Sequence, residues 1–305
     1  MTEDDFLKAL FARLPSPPGR LVIPPGDDCA GYAPGGGKVL LVAVDQIVEK
    51  RHYLAEGPAA ATPEQVGRKL LARNLSDIAA MGGKPLFCLV ATSLGPRHDE
   101  GWLNRFFKGL LKLGKKQGVF MIGGDLATAP RDTVASLTIV GEVQRGDVLR
   151  RSGARPGDLL FATGKFGRSL RTGHHLLFEP RLKEGQWLAR NRLARAAIDV
   201  SDGLLVDAWR LCRASRVGLR LDTSSIPLRT AGTTLQEALS DGEDYELLFA
   251  VSKQKAKGLV KMWPFARVPV TQIGEFFSAG RPVIVDRRDI RLSGGGYDHF
   301  RVRRG

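Results

Sequence analysis

The chain has 305 residues, 43% hydrophobic and 26% charged, enough to bury a core in one large domain or in two of about 150 residues each. This composition excludes a disordered chain, and the lack of any apolar run near about 18 residues excludes a membrane-spanning helix. Three scattered cysteines, Cys29, Cys88 and Cys212, form no CxxC pair, which excludes a zinc ribbon or a disulfide framework and makes a reducing cytoplasm the expected compartment.

The N-terminal "MTEDDFLKAL" has no signal-peptide core, and Thr2 with Asp5 reads as a weak capping box opening a helix to Leu14. "KVLLVAVD" (38–45) reads as a buried strand, and Thr62-Pro63 opens a long helix that stops at Gly82-Gly83. Next come a strand at 85–94, a helix from Asp99 to Gln117 closed by Gly118, and strands at 119–125 and 133–143. "RRSGARPGD" (150–158) is the candidate joint between domains. Beyond it the spacing predicts strands at 158–163, 217–222, 245–251 and 267–273, and helices at 166–177, 203–215 and 230–239. Each half is α+β, and no sequence repeat relates them.

With 46 Lys and Arg against 32 Asp and Glu, the net charge is +14. The cations are dispersed, so they fit either a basic surface without a specific partner or attraction to nucleic acid or phosphorylated small molecules. The scarce acids stand in unexpected places. On the 62–81 helix, Val66, Leu70, Leu71, Leu75 and Ile78 span one side, while Arg68, Lys69, Arg73 and Ser76 take the other. Asn74 and Asp77 fall within the apolar side, so Asp77 needs an interior partner. Asp45 closes an apolar strand, Asp27-Asp28 sit in a Gly-Pro turn, Asp125 follows Gly123-Gly124, and Asp199 and Asp202 interrupt "AIDVSDGLLVD". Glu243-Asp244 precede another apolar strand.

Like charges about 4 Å apart repel by roughly 4 kcal/mol at an effective dielectric of about 20, so such a set meets only around cations. An all-oxygen set without His or Cys suits Mg²⁺ or Mn²⁺, commonly shared with a substrate phosphate. Single acids have a plainer use as turn formers or helix caps. That is the reading for Asp207, as an ordinary acid on its helix, and it stays open for Asp27. No GxxxxGK[ST], GxGxxG, HRD or DFG element occurs, and "TGKFGRS" (163–169) reads as a strand-to-helix turn. His174-His175 point about 100° apart on a helix and read as surface residues, and His52 alone reads as an ordinary polar residue.

Taken in chain order, "GDDCA" (26–30), "ARNLSDIAAMGGKP" (72–85), "IGGD" (122–125), "RSGARPGD" (151–158), "AIDVSDGL" (197–204), "SDGEDYELLFAV" (240–251), "IGEF" (273–276) and "GYDHF" (296–300) resemble the thiamine-monophosphate kinase family. That family lies within the aminoimidazole-ribonucleotide-synthetase-like superfamily. The resemblance implies an α+β protein of two α/β domains. Residues 1–149 would form an N-terminal domain for ATP, Mg²⁺ and dimerisation, its sheet pairing in a homodimer, and 150–305 a C-terminal α/β sandwich completing the substrate and nucleotide site. It implies several Mg²⁺ ions held by Asp28, Asp45, Asp77, Asp125, Asp199 and Asp202, with a carbonyl at Val44. ATP would meet Gly123, Gly124, Arg151 and Ser201, and the acceptor His52 and Glu243.

The implied reaction is phosphorylation of thiamine monophosphate to thiamine diphosphate, a step of thiamine biosynthesis. The acceptor is already ionised near neutral pH, so no residue is assigned as general base. Val44-Asp45-Gln46 stands where the family has Thr-Asp-Thr, and Gly294 where it has an aromatic residue on the substrate ring, a stack worth roughly 1 kcal/mol. A second reading therefore keeps the chemistry with another phosphorylated acceptor. A third, a non-catalytic basic protein on nucleic acid, is disfavoured by acids that are costly without metal.

Overall fold

The computed structural model describes residues 3–16, 18–292 and 296–297, so the Thr2 cap and Gly294 lie outside the described residues. A first sheet is built from β1 (Leu21–Ile23), β2 (Ala30–Gly35), β3 (Lys38–Val48), β4 (Lys84–Leu94), β5 (Phe120–Thr128) and β6 (Val134–Gln144), in the order β1-β2-β3-β6-β4-β5. Behind α1 (Glu3–Phe11), the helices of this half are α2 (Pro63–Ala80) and α3 (Glu100–Gln117). The α3 crossover makes β4 and β5 parallel, whereas the other neighbours pair antiparallel.

Strand β3 shows how alternation sets the faces. Val39, Leu41, Ala43 and Ile47 are buried, while Val42 and Val44 stand 37% and 66% exposed on the other face. Asp45 has the parity of the buried residues, so it points to the side where α2 packs. Helix α2 starts with a full Thr62–Gln65 capping box and Pro63 in its first turn. Its Val66, Leu70, Leu71, Leu75 and Ile78 are each at most 1% exposed. Gly67 and Gly109 let α2 and α3 touch through their backbones, since a Cβ on Gly67 would lie 2.0 Å from the Phe106 carbonyl oxygen and one on Gly109 2.0 Å from that of Glu64.

The second sheet comprises β7 (Leu159–Thr163), β8 (Ala194–Asp199), β9 (Gly218–Leu221), β10 (Leu247–Val251), β11 (Val270–Phe277) and β12 (Val283–Val285), in the order β12-β9-β11-β7-β10-β8. Its helices are α4 (His174–Leu177), α5 (Leu182–Arg190), α6 (Leu204–Ser215), α7 (Leu235–Ser240) and α8 (Lys253–Met262). Strand β10 is buried along its whole length. Among the described residues no helix is long and apolar enough to cross a membrane.

Several expected elements need correction. The 166–177 helix is confined to His174–Leu177, because Gly167 and Arg168 take left-handed φ of 83° and 57° and turn the chain. The helix at 230–239 begins only at Leu235, where Thr234 and Glu237 make a second capping box. Helix α5 had no counterpart in the sequence reading. Its Gly185 looks like a breaker but is the point where the helix meets the Ala79 carbonyl of α2. The largest correction concerns the polar side of α2. Lys69 and Ser76 are 0% and 1% exposed, because the second half of the chain packs over that side.

Candidate functional site

A cleft of about 850 Å³, counting its open mouth, lies where the two halves meet. Four stretches of chain bring most of the side chains to it. Asp45 comes from β3 and Arg51 and His52 from the loop after it; α2 gives Arg73 and Asp77; Asp199 ends β8, with Ser201 and Asp202 in the following loop; and Asp241, Glu243 and Tyr245 come from the loop before β10. Leu170 and Tyr297 also line it.

Asp77 and Asp199 line the cleft and Asp28 is buried behind them, and carboxylate oxygens of the three all lie within 4.8 Å of one another. Burial, followed by the neighbouring charges of Asp45, Asp199 and Asp28, pushes the Asp77 carboxyl well above the usual carboxylate range. Asp199 is raised by burial and then by Asp28, although the Ser76 hydroxyl donates to it at 2.6 Å. Asp28 accepts from the Arg151 guanidinium at 2.6 and 3.1 Å through Oδ1 alone. Its Oδ2 is enclosed without a partner among the described residues. Three carboxylates sharing so little space, one oxygen orphaned, with no sulfur or imidazole in the set, fit a hard divalent cation.

The surrounding backbone fixes these acids. The buried Asn74 accepts from the Asp45 amide at 3.1 Å and donates to the Leu70 carbonyl at 2.9 Å, locking β3 to α2. Asp207 is no ordinary acid on a helix. It is 1% exposed and accepts from the amides of Ser201, Asp202 and Gly203 at 3.0 to 3.2 Å, which shapes the loop carrying Asp202. Arg210 bridges Asp202 and Asp207 at 2.5 and 2.7 Å.

The opposite wall is a second buried cluster. Lys69 on α2 donates to Glu243, to the His52 carbonyl at 2.6 Å, and lies 2.8 Å from Nδ1 of His175. Burial lowers the Lys69 amine to about 8 despite the pull of Glu243. Burial would raise Glu243, yet Lys69, His175 and Arg73 together hold it down at about 2. His175 is 8% exposed rather than on the surface, and His174 lies 3.2 Å from the Asp244 carbonyl with its ring lowered to about 4 by burial. Glu243 and Tyr245 sit at left-handed φ of 56° and 52°, a strained turn held by amide bonds to the Ser201 and Val200 carbonyls at 2.7 and 2.8 Å.

The structure thus brings Asp28, Asp45, Asp77, Asp199 and Asp202 together with Arg151, Ser201, His52 and Glu243. It does not bring Asp125 to the three-acid cluster. Register aligns Asp125 with Ala91, Ser136 and Gln46, on the sheet face opposite Asp45. The Val44 side chain points to that outer face too, and Gly124 is a packing glycine, since a Cβ there would lie 2.0 Å from the Val90 carbonyl oxygen. Sequence reasoning missed Lys69, Arg73, Ser76, His175 and Arg210. A signal existed for two of them: Lys69, Arg73 and Asp77 recur every fourth residue, a ridge that drifts from the polar side of α2 to its apolar side.

Two mixed α/β domains closing on a buried carboxylate cluster define the class of AIR synthase related proteins. Residues 26–143 match that family's N-terminal domain and 155–287 its C-terminal domain. Thiamine-monophosphate kinases of Salmonella typhimurium and Escherichia coli are 34% and 35% identical to the chain, covering 90% of it and 91% of each relative. The solved structure of AaThiL complexed with AMPPCP and TMP superposes with a TM-score of 0.83 at 26% identity, covering 98% of this chain and 97% of that one. The chain belongs to the thiamine-monophosphate kinase family.

Proposed function

We propose that the chain transfers the terminal phosphoryl group of ATP directly and in line to thiamine monophosphate, giving thiamine diphosphate and ADP. The observation that carries phosphoryl transfer is the Asp28–Asp77–Asp199 cluster, an arrangement of like charges that makes sense around a divalent cation holding phosphate oxygens. The thiamine acceptor is supported by the curated relatives and by the TMP-bound neighbour.

Bound Mg²⁺ would supply charge neutralisation between nucleotide and acceptor phosphates. Asp28, Asp77 and Asp199 would hold it, with Asp45 and Asp202 at the rim of the same cleft. Ser201, Gly123, Gly124 and Arg151 are assigned to ATP, and His52 and Glu243 to the acceptor. Asp125 and the Val44 carbonyl keep their family assignment as proposals, with Asp125 outside the cluster. The acceptor phosphate arrives ionised, so the protein's task is positioning and charge stabilisation, with no proton to remove.

Residues 1–149 are assigned to nucleotide, metal and dimer contacts and 150–305 to completing the site, in a cytoplasmic homodimer. Incubation of the purified protein with ATP, Mg²⁺ and thiamine monophosphate should yield thiamine diphosphate and ADP in equal amounts. ADP release only with a different phosphorylated acceptor would replace thiamine monophosphate as substrate. Salt-sensitive nucleic-acid binding with no turnover on any acceptor would defeat the kinase reading.

A further inference from the structure

We propose that Arg73 is the side chain that grips the phosphate of the monoester acceptor, at the junction between the acid cluster and the Lys69–Glu243 wall. This inference rests on the phosphoryl-transfer reading of the cleft and adds a residue that this reading leaves unused.

The guanidinium is almost enclosed, its side chain 12% exposed, and it lines the cleft. Its Nη2 lies 3.4 Å from Asp45 Oδ1 and its Nη1 4.0 Å from Glu243 Oε1. These are long contacts. Arg151 to Asp28, Arg210 to Asp202 and Arg229 to Asp244 close to 2.6, 2.5 and 2.7 Å, the span of a charged hydrogen bond. Nε and Nη1 of Arg73 are buried and have no hydrogen-bond partner among the described residues. Buried donors left unmade are costly, and a rigid guanidinium fork matches phosphate oxygens well. The side chain is therefore arranged to be completed by an anion.

Position selects which anion. One side of Arg73 meets Asp45, at the metal end of the cleft, and the other meets Glu243, beside His52 at the acceptor end. Between them the acceptor phosphate must approach a second, equally anionic phosphate. A fixed cation there offsets that repulsion without needing a proton transfer. Nucleotide phosphates, held by the Asp28–Asp77–Asp199 end, lie beyond this point.

Equilibrium titrations of the whole protein with Mg²⁺ and AMPPCP present test the assignment. Arg73→Gln should weaken thiamine monophosphate binding by roughly 10- to 100-fold, while AMPPCP affinity with Mg²⁺ stays within about twofold. Arg73→Lys, which keeps the charge but loses the fork, should fall between the two proteins. Unchanged thiamine monophosphate affinity in Arg73→Gln, or an equal loss for AMPPCP, overturns the proposal. Where Arg73→Gln fails to fold, Arg73→Lys decides alone: an affinity equal to wild type overturns it, and a selective loss sustains it. A wild-type protein that ignores thiamine monophosphate sinks the acceptor reading, not this one. Inorganic phosphate is then the probe, and equal phosphate affinity in wild type and variant overturns the role of Arg73.

Discussion

Asp28 gives one oxygen to Arg151 and keeps the other enclosed beside two more carboxylates, so three like charges crowd together there. Asp77 and Asp199 titrate above the usual carboxylate value, which means the folded chain holds their protons more tightly than the unfolded one. Their contribution to stability is present below about pH 4 and is lost as the pH rises through the raised values. Without divalent cation, Asp199→Asn should therefore melt above wild type at pH 8, with the gap closing as the pH falls. Mg²⁺ should raise the wild-type melting temperature more than that of the variant; scanning calorimetry with and without Mg²⁺ reads both, and an equal Mg²⁺ response would remove Asp199 from the metal site. Across the cleft the charges are paired. Glu243 is held at about 2 against an ordinary 4.5, so its stabilisation is present above pH 4.5 and fades as the pH falls towards 2. Removing one partner of such a pair costs about 3–5 kcal/mol, so Lys69→Met should destabilise strongly at pH 7. Lys69→Met with Glu243→Gln should cost less than the two single changes added, as read by urea unfolding.

Helix α2 is the element on which both halves converge, and it shows what sequence pattern can and cannot reveal. Its ends were legible because Thr62-Pro63 and Gly82-Gly83 act through local backbone chemistry. Its apolar side was legible because Val66, Leu70 and Leu75 repeat with the helix. The fate of Lys69, Arg73 and Ser76 was not, because a polar side records only what a surface can satisfy, not what covers it. Here the cover is Glu243, His175 and Asp199, from residues more than a hundred positions away in the chain. Strand β8 and helix α5 escaped for related reasons: "ARAAID" is too alanine-rich to alternate, and Gly185 serves a contact rather than a break. That contact makes a prediction. Gly67→Ala and Gly185→Ala would each press a methyl against a carbonyl oxygen at 2.0 Å, so each should lose about 1–3 kcal/mol in urea unfolding. Gly101→Ala meets only the Asp99 carboxylate at 3.3 Å and should be neutral or gain up to about 1 kcal/mol, as alanine does in a helix. Equal effects at all three sites would show that close crossing is not what these glycines provide.

At the scale of the molecule, the acids were readable one by one from their apolar surroundings, but their meeting depends on topology. Asp28, Asp77 and Asp199 are gathered because a turn, a helix and a strand end meet at one point, whereas Asp125 looks equivalent in sequence and lies on the opposite face of its sheet. That face carries the remaining unsatisfied surface. Val42, Val44 and Leu89 are 37%, 66% and 41% exposed, and on the edge strand β5 Phe120 and Ile122 are 73% and 59% exposed. An exposed apolar strip on a sheet with an open edge is a liability in a lone protomer and an asset in a symmetric pair. If the N-terminal sheets pair in the homodimer, a charge on this strip should separate the protomers without disturbing the helices on the other side. Phe120→Asp with Ile122→Asp should therefore sediment near the 33.2 kDa of one chain while wild type sediments near twice that, and both should keep the same helical circular dichroism. A variant that still sediments as a dimer would place the interface elsewhere, and a wild-type monomer would leave the strip without its proposed partner.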